Sequence, residues 1–309
     1  MRALLTGASS FSGYWFAVKL QAVGFHVTAP LRGAAAAYGG IRGERVQKLA
    51  TVADIIDDCA FGSARFLDLV GANDFDVLCH HAARVGDYRS LDFDVAGAVA
   101  ENTLNLRTVI ERMLERTLKA VVFTGSVFEF DEGAGNAPMR AFSPYGLSKG
   151  LTAQVVRHWC THYGVPLGKF VIANPFGPWE EPRFCAYLVK TWRGGQTADV
   201  RTPDYLRDNI HVDLLALAYA DFVERTIASG RSERFGPIGY AETQGAFAQR
   251  YAQAMRPRLG LACDVRLLQQ TDFSEPLARI NTHLIDKAAL GWSEPGAWDA
   301  IAEFYRTRV

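Results

Sequence analysis

The run Ala3-Leu4-Leu5, continued by Thr6-Gly7-Ala8-Ser9-Ser10-Phe11-Ser12-Gly13, predicts the architecture of the amino-terminal part of the chain. The three apolar residues predict a short buried strand, and a helical pattern of apolar residues follows the turn and closes at Gly24. A second strand is predicted over residues 25–29. A strand, a glycine turn, a helix and a strand in this order form a unit whose backbone amides at the helix start can hold a pyrophosphate.

The turn and the end of the second strand bear on the cofactor. Gly7 allows a tight turn and Gly13 allows close packing of helix on strand, whereas Ser10 stands where a third glycine is expected. The second strand ends in Thr28-Ala29-Pro30-Leu31-Arg32, which contains no acid. Because NAD binders usually carry Asp or Glu there for the ribose hydroxyls, and an arginine can meet a 2′-phosphate, Arg32 favours NADP over NAD.

Strand and helix patterns alternate as far as residue 173. After the first unit we predict a third strand at 45–49, a helix at 63–71, a strand at 75–79, a helix at 102–115, a strand at 119–124, a helix at 145–163 and a strand at 167–173. Such alternation predicts a parallel sheet with helices on both faces. Ligands bind beyond the carboxyl ends of such strands, and we place Gly7, His81, Thr124 and Asn174 at these ends.

The alternation stops in a turn-rich loop at 175–182. Further helices are predicted at 184–192, 214–228, 244–255 and 298–305, with short strands near Phe235 and Val265. We therefore predict an α/β protein in which a Rossmann-like doubly wound parallel sheet occupies residues 1–174, with 208–240 returning to it. Residues 175–207 and 241–309 are predicted to form a smaller C-terminal α/β substrate-binding lobe, and a cleft between lobes suits a substrate.

Composition excludes several classes of function. Lys+Arg and Asp+Glu are both 33 among 309 residues, so the net charge indicates neither nucleic acid nor an anionic membrane as a partner. No apolar run approaches ~18 residues, and the amino terminus shows no signal peptide. The 5 cysteines lack CxxC spacing, and the adjacent His80 and His81 lack a third ligand, so we predict reduced thiols, no metal site and a cytoplasmic location.

A second run, Ser143-Pro144-Tyr145-Gly146-Leu147-Ser148-Lys149, carries a candidate for proton transfer. Ser143 suits a helix N-cap and Pro144 the first helical position, so Tyr145 and Lys149 share one helix face. A phenol titrates near ~10, and an adjacent ammonium favours its ionised form. Tyr145 can therefore give or take a proton near neutral pH. Upstream, Thr124 lies at the carboxyl end of a predicted buried strand.

Taken in order, these motifs resemble the extended short-chain dehydrogenase/reductases, and within them the nucleotide-sugar epimerase/dehydratase/reductase group. The resemblance covers residues 2 to about 220, and the last ninety or so residues match only loosely. It is carried by Thr6-Gly7 with Gly13, His80-His81-Ala82-Ala83, Asn105, Thr124-Gly125-Ser126-Val127-Phe128, Tyr145 with Lys149, Asn174-Pro175-Phe176-Gly177-Pro178 and Arg207-Asp208-Asn209-Ile210-His211-Val212-Asp213.

The resemblance implies a role for each matching residue. Tyr145 would be the general acid/base, Lys149 would hold the nicotinamide ribose and lower the tyrosine pKa, and Thr124 would hydrogen-bond the reacting oxygen. The implied cofactor contacts are Gly7, Ser9, Ser10, Phe11, Ser12, Gly13, Arg32, His81, Ala82, Ala83, Tyr145, Lys149 and Asn174. The implied substrate contacts are Arg84, Ser126, Asn174 and Arg207, with Asp87 and Tyr88 near the sugar pocket. A homodimer through the helices near 99–115 and 145–163 is also implied.

The expected activity is an NADP-dependent reduction of the 4-keto group of a nucleotide-linked (deoxy)sugar. Ser126 occupies a position that is acidic in the dehydratases, which argues against dehydration. An NAD-dependent nucleotide-sugar 4-epimerase and a reductase of a non-sugar carbonyl remain alternatives. A non-catalytic dinucleotide-binding protein is disfavoured, because it would not need Thr124, Tyr145 and Lys149 together. The nucleotide, the sugar and the stereochemistry are not fixed by these residues.

Overall fold

The structure, a computed structural model, describes residues 1–135 and 140–308. Its strands are β1 (Arg2–Thr6), β2 (His26–Pro30), β3 (Asp54–Ile56), β4 (Val77–His80), β5 (Ala120–Ser126), β6 (Ala134–Gly135), β7 (Leu167–Ile172), β8 (Asn174–Phe176), β9 (Ala198–Val200), β10 (Leu206–His211), β11 (Glu233–Phe235), β12 (Tyr240–Thr243), β13 (Val265–Leu267) and β14 (Ala278–Ile280). Its helices are α1 (Phe11–Ala22), α2 (Gly40–Leu49), α3 (Ala64–Ala72), α4 (Val95–Asn102), α5 (Leu106–Leu114), α6 (Pro144–His162), α7 (Phe184–Arg193), α8 (Val212–Ser229), α9 (Gln244–Leu259) and α10 (Glu294–Arg306), with a 3-10 turn at Ala35–Ala37.

The chain forms two compact units. Unit 1 comprises residues 1–132, 140–172 and 216–236, and unit 2 comprises the described residues of 133–139, 173–215 and 237–309. No helix in the described part of the chain is long and apolar enough to cross a membrane.

Unit 1 is built on a parallel sheet with the strand order β11-β7-β5-β4-β1-β2-β3. All seven residues of β5 are buried, as expected for a strand covered on both faces. On one face Val121 and Phe123 pack in a core that includes residues of α3, α5 and α6. On the other face Phe16 of α1 stacks on Tyr219 of α8, with ring centroids 3.8 Å apart. The predicted Rossmann-like doubly wound sheet is therefore confirmed.

The predicted third strand at 45–49 is wrong, because these residues lie in α2 and the third strand is β3. Arg45, Val46 and Leu49 are buried, whereas Gln47 and Lys48 are exposed. That spacing is helical, and a strand would have alternated.

The predicted single helix at 102–115 is interrupted. Asn102 is the last residue of α4, and α5 begins only at Leu106, after Asn105 adopts a left-handed backbone with φ 51°. The Asn105 side chain donates to the Gly62 carbonyl over 2.8 Å. A β-carbon on Gly62 would come within 1.9 Å of the Leu104 carbonyl oxygen, so the break coincides with a close approach of two backbone segments.

Unit 2 contains a sheet of order β12-β10-β14-β6 with β8 also paired to β10, and a separate pair β13-β9. Its core includes Phe176, Leu188, Trp192, Phe247 and Trp298. The sequence did not predict β10, which the run before α8 forms.

The four residues placed at carboxyl ends of the parallel strands lie at those ends. Gly7 and His81 follow β1 and β4 directly, and Thr124 lies two residues before the end of β5. Asn174 follows β7 by two residues and also begins β8, where it pairs with Asn209 of β10 in unit 2.

Candidate active site

The turn between β1 and α1 needs its two glycines. Gly7 has φ 75°, and a β-carbon there would lie 2.9 Å from the Ala82 backbone. A β-carbon on Gly13 would lie 2.3 Å from the Gly7 carbonyl oxygen. The turn therefore packs against the 81–83 segment with no room for side chains, and the free amides of the α1 start remain available to an anion.

Ser10, at the position where a glycine was expected, closes this turn. It is the N-cap of α1: its hydroxyl accepts from the Gly13 amide over 3.1 Å and donates to the Gly7 carbonyl over 2.8 Å. The side chain thus folds back into the turn and satisfies one of the helix amides. The substitution is compatible with the shape of a dinucleotide-binding turn.

The two adjacent histidines lie on opposite faces of the sheet. His80 stacks on Phe61, and His81 packs edge-on against Phe16. The His81 Nε2 lies 3.0 Å from the Ser10 hydroxyl and 3.1 Å from the Ser12 hydroxyl. Since the Ser10 hydroxyl already donates to Gly7, the Nε2–H of His81 donates to Ser10.

Both histidines are neutral at physiological pH. Burial, together with the charges of Lys149 and His80, lowers the pKa of His81 to about 3. Burial likewise lowers the pKa of His80 to about 4, although its bond to the Asn102 carbonyl opposes this. The His81 Nδ1 is buried and has no hydrogen-bond partner among the described residues.

The Tyr–Lys pair begins α6 as the sequence predicts. Ser143 is the N-cap and accepts from the Gly146 amide, and Pro144 opens the helix. Lys149 is 3% exposed, and its ammonium donates to the Thr124 carbonyl over 2.7 Å. Burial lowers the pKa of Lys149 to about 8, with Glu129 raising it and Lys169 lowering it.

Glycines fix the start of α6 against the segment that follows β5. A β-carbon on Gly146 would lie 2.2 Å from the Phe128 carbonyl oxygen, and one on Gly150 would lie 2.6 Å from the Phe130 ring. Tyr145 is half-buried within this packing. The start of α6 is thus held against this segment by a close backbone contact at Gly146 and by the Phe130 ring at Gly150.

Thr124 lies on β5 and is 3% exposed. Its hydroxyl is buried beside the Tyr219 phenol and makes no hydrogen bond of ordinary geometry within the described residues. A buried hydroxyl without a partner costs free energy unless a ligand or water meets it.

A buried ionic network supports the end of β5, and the sequence did not reveal it. The Glu129 carboxylate accepts from the Ser126 amide over 2.7 Å and pairs with Lys169 of β7, also over 2.7 Å. Lys169 pairs in addition with Glu132 over 2.6 Å, and Glu132 with Arg234 of β11. Burial raises the pKa of Glu129, although Lys169 and Lys149 oppose this.

The same network accounts for the one group of carboxylates, among the described residues, whose spacing suits a metal ion. Glu129, Asp131 and Glu132 each place an oxygen within 4.8 Å of the others. Since Lys169 already occupies the space between Glu129 and Glu132, we assign no ion to them.

The predicted substrate residues fall in both units. In unit 1, Arg84 pairs with Asp94 over 3.1 Å, and the Ser126 hydroxyl accepts from the Phe128 amide. In unit 2, Arg207 pairs with Glu275 over 2.8 Å, and the Asn174 amide donates to the Asp208 carbonyl. Within unit 1, the described contacts thus bring together the turn, the 81–83 segment and the Thr124–Lys149 pair; Asn174 and Arg207 belong to unit 2.

Two arginines follow β2. Arg32 is exposed and pairs with Glu101 of α4 over 3.0 Å. Arg42 of α2 donates to the Ser9 hydroxyl within the glycine turn, over 2.7 Å from Nη2 and 3.2 Å from Nε. Sequence reasoning missed Arg42, because it predicted no helix between the strands at 25–29 and 45–49, and only a helix there brings Arg42 back to the turn.

These features define a short-chain dehydrogenase/reductase of the extended type. The sequence profile described as the NAD dependent epimerase/dehydratase family matches residues 3–234. The chain therefore belongs to this family, and the predicted recognition is confirmed. A comparison with curated protein sequences gave no match.

Several solved structures share the fold. The Bacillus cereus UDP-glucuronic acid 4-epimerase, in complex with UDP-glucuronic acid and NAD, is 18% identical with a TM-score of 0.75, and the alignment covers 100% of both chains. The Stenotrophomonas maltophila UDP-glucose-4-epimerase, with bound NAD and formylated UDP-arabinopyranose, is 18% identical with a TM-score of 0.75, covering 99% of this chain and 98% of the other. The Streptomyces venezuelae dTDP-glucose 4,6-dehydratase, with NAD, is 18% identical with a TM-score of 0.71, covering 100% and 98%.

The residues present fit a nicotinamide dinucleotide. The turn at Gly7 and Gly13 leaves backbone exposed where a side chain would collide. Two buried polar atoms, the His81 Nδ1 and the Thr124 Oγ1, lack hydrogen bonds of ordinary geometry within the described residues. Lys149 supplies a buried ammonium close to Thr124.

Proposed function

We propose that the protein is an NADPH-dependent oxidoreductase that reduces the 4-keto group of a nucleotide-linked (deoxy)sugar. The observation that carries the proposal is the 2.7 Å bond from Lys149 to the Thr124 carbonyl, because it joins the Tyr145 helix to the strand that bears Thr124. Such a bond is expected if the Tyr145 phenol and the Thr124 hydroxyl act on one oxygen atom beside the Lys149 ammonium.

The protein's residues supply the proton and the position, while the nicotinamide, when bound, supplies the hydride. Tyr145 donates its phenolic proton to the oxygen that becomes the product hydroxyl. The Thr124 hydroxyl donates a hydrogen bond to the same oxygen and stabilises the negative charge that develops there. Lys149 favours the phenolate by its charge and hydrogen-bonds the nicotinamide ribose.

The turn and Lys149 orient the cofactor in this proposal. The α1 amides bind the pyrophosphate, and the Ser10–His81 contact holds the turn in the required shape. The further cofactor contacts proposed are Ser9, Phe11, Ser12, Arg32, Ala82, Ala83 and Asn174. Arg84, Ser126, Asn174 and Arg207 are proposed to bind the substrate.

Two features support a net reduction. Ser126 stands where dehydration requires an acid, and its backbone amide donates to the Glu129 carboxylate. No acid follows β2, which favours the phosphorylated cofactor over NAD.

A 4-epimerase that retains NAD is the second candidate. The solved structures with TM-scores of 0.75 are UDP-sugar 4-epimerases whose complexes contain NAD. The same Tyr145, Lys149 and Thr124 would serve both directions of hydride transfer, since an epimerase oxidises and re-reduces one carbon. Reduction of a non-sugar carbonyl remains the third possibility.

The test begins with the cofactor that accompanies the purified protein, measured by absorbance after denaturation. We expect no retained NAD and a consumption of NADPH, followed at 340 nm, when a dTDP-4-keto-6-deoxyhexose is added. Retained NAD, together with isomerisation of UDP-glucose without added cofactor, would replace the reductase with the epimerase. No activity of Tyr145→Phe in either assay is the matched control for contaminating enzymes.

The assembly and location are proposals of the same kind. Exposed leucines lie on both helices: Leu147 and Leu151 on α6, Leu114 at the end of α5, and Leu104 just before α5. Their exposure supports a homodimer through these helices. A cytoplasmic location stays a prediction from the reduced cysteines.

A further inference from the structure

The guanidinium of Arg42 lies directly on the glycine turn. Two of its N–H groups donate to the Ser9 hydroxyl, and its carbon lies 4.8 Å from the centre of the Tyr38 ring. Ser9 is buried, whereas Arg42 is exposed. Arg42 is therefore a solvent-accessible cation in direct contact with the buried Ser9 hydroxyl.

The position of Arg42 is fixed by the packing of α2. A β-carbon on Gly43 would lie 2.2 Å from the Tyr38 carbonyl oxygen, so the helix touches the backbone of the preceding segment. One turn later, the fully buried Arg45 donates its Nε–H to the Ser9 carbonyl over 3.2 Å. The hydroxyl and the carbonyl of Ser9 are thus both held by α2, which leaves the Arg42 side chain little freedom to lose on binding a ligand.

The charge of Arg42 is not neutralised within the described residues. Its contacts are a neutral hydroxyl and an aromatic ring, and no described carboxylate forms an ion pair with it. Arg32 differs, because Glu101 pairs with it over 3.0 Å. An anion at the turn therefore meets an unneutralised guanidinium at Arg42 and a partly neutralised one at Arg32.

We propose that Arg42 binds the 2′-phosphate of NADP and is the main determinant of cofactor choice, with Arg32 as a secondary contact. The inference rests on the dinucleotide site of the proposed function. The residue after β2 and the turn after β1 face the adenosine ribose in folds of this type, and here neither carries an acid that would repel a phosphate.

The experiment measures equilibrium binding to the purified full-length protein by isothermal titration calorimetry, so that no substrate is needed. The ligands are NADPH, NADH and adenosine 2′,5′-bisphosphate, and the variants are Arg42→Gln, Arg32→Gln and Lys48→Gln. We expect the wild-type protein to prefer NADPH. Arg42→Gln should weaken NADPH and the bisphosphate by roughly 10- to 100-fold, as for a lost hydrogen bond to a charged group, and change NADH by less than about 3-fold.

The other variants distinguish this charge from neighbouring ones. Arg32→Gln should weaken NADPH less than Arg42→Gln does, because Glu101 already pairs with Arg32. Lys48→Gln, at an exposed lysine of the same helix, is the matched control and should bind all three ligands as the wild type does. Arg42→Lys keeps the charge but loses the fork of donors, so it should recover only part of the NADPH affinity.

Three results would overturn the assignment. They are equal affinity of the wild type for NADH and NADPH, an equal weakening of both dinucleotides by Arg42→Gln, and a larger loss of NADPH affinity in Arg32→Gln than in Arg42→Gln. The proposed oxidoreductase function survives each of these, since a dinucleotide still binds. Failure of the wild type to bind either dinucleotide would contradict the proposed function and the assignment together. If Arg42→Gln proves misfolded by circular dichroism, Arg42→Lys decides: it should still weaken NADPH more than NADH, and equal affinities of Arg42→Lys and wild type for NADPH would overturn the assignment.

Discussion

At the scale of the residue, Lys149 must remain a cation although it is almost completely buried. Burial lowers its pKa to about 8, so the ammonium is fully present at pH 6 and is lost as the pH rises through 8. His80, His81, Glu129 and Lys169 are among the ionisable groups that it interacts with. Its donation to Thr124, and in our proposal to the ribose, therefore has a limit in mildly alkaline solution.

The corresponding prediction concerns cofactor affinity against pH. The dissociation constant of NADPH should be flat from pH 6 to 7 and rise several-fold between about pH 7.5 and 9, as Lys149 loses its proton. Calorimetric titration at each pH measures this directly. In Lys149→Met the affinity should be lower and should lack the rise. A Lys149→Met profile that rises as the wild-type profile does would show that another group titrates.

Individual residues differed in how far the sequence could predict them. The turn glycines and the Tyr145–Lys149 spacing are local patterns, and the structure places them as the sequence indicates. The contact of Arg42 with Ser9 joins residues 33 positions apart and depends on a helix that the sequence did not reveal. Likewise, no local sequence pattern links Glu129 to Lys169, and only the pairing of β5 with β7 brings them together.

At the scale of the element, β5 and β7 are joined by charge as well as by backbone hydrogen bonds. Lys169→Met would remove the ammonium that pairs with buried Glu129 and would leave Glu132 with Arg234 alone. Because breaking a buried pair leaves an uncompensated charge, we expect the free energy of unfolding to fall by about 3 kcal/mol. Urea denaturation followed by tryptophan fluorescence measures the change.

A matched control exists for this substitution. Lys119 pairs with Asp76 over 2.8 Å, but its side chain is 53% exposed. Lys119→Met should cost less than about 1 kcal/mol, as is usual for exposed pairs. Equal losses in the two variants would mean that the Lys169 network contributes nothing beyond a surface pair.

The loop between β8 and α7 carries a buried carboxyl in unit 2. Burial raises the pKa of Glu180 to about 8, while Arg183 and the Gly177 amide lower it. A carboxyl whose pKa is raised by folding stabilises the folded state fully when the pH is below its pKa in the unfolded chain, near ~4.5. This contribution to the free energy of unfolding is lost as the pH rises through 8.

The resulting prediction is a change of stability with pH. The melting temperature of the wild type should fall between pH 5 and 8 by several degrees more than that of Glu180→Gln. Differential scanning fluorimetry in buffers of equal ionic strength compares the two proteins, with Glu181→Gln as the control at the neighbouring carboxyl. Parallel curves for wild type and Glu180→Gln would mean that Glu180 is ionised in the folded protein.

The errors in the predicted elements have physical causes. Val46 and Leu49 were assigned to a strand because a short apolar run does not by itself distinguish a strand from a helix. The break at Asn105 depends on the close approach of Gly62, which no local pattern contains. Long, strongly periodic segments such as α6 were predicted within a residue or two of their ends.

At the scale of the whole molecule, the parallel sheet follows from the alternation of strands and helices, whereas the second sheet does not. Its strands have two to six residues and pair across long separations in the chain, so little local signal identifies them. For this reason β8 and β10 were not predicted. The two units of the structure carry different parts of the predicted site, and the substrate contacts in unit 2 stay predictions.

The proposed homodimer is tested at this scale. Leu147 and Leu151 lie one turn apart on α6 and are 39% and 40% exposed. Leu151→Glu should convert a dimer into a monomer in size-exclusion chromatography with light scattering. Its circular dichroism spectrum should stay that of the wild type, which shows that the variant is folded. Leu284→Glu, at a leucine that is 85% exposed in unit 2, is the control and should leave the mass unchanged. A monomeric wild type would contradict the dimer.

The central claim is that Tyr145 transfers the proton in a hydride-transfer reaction. The most direct measurement compares wild type and Tyr145→Phe in single-turnover oxidation of NADPH by a 4-keto nucleotide sugar, with NADPH affinity measured on the same samples. We predict that the rate falls by about 100- to 10,000-fold, because a general acid is lost, while the dissociation constant changes by less than about 3-fold. A Tyr145→Phe protein that turns over at the wild-type rate would contradict the claim.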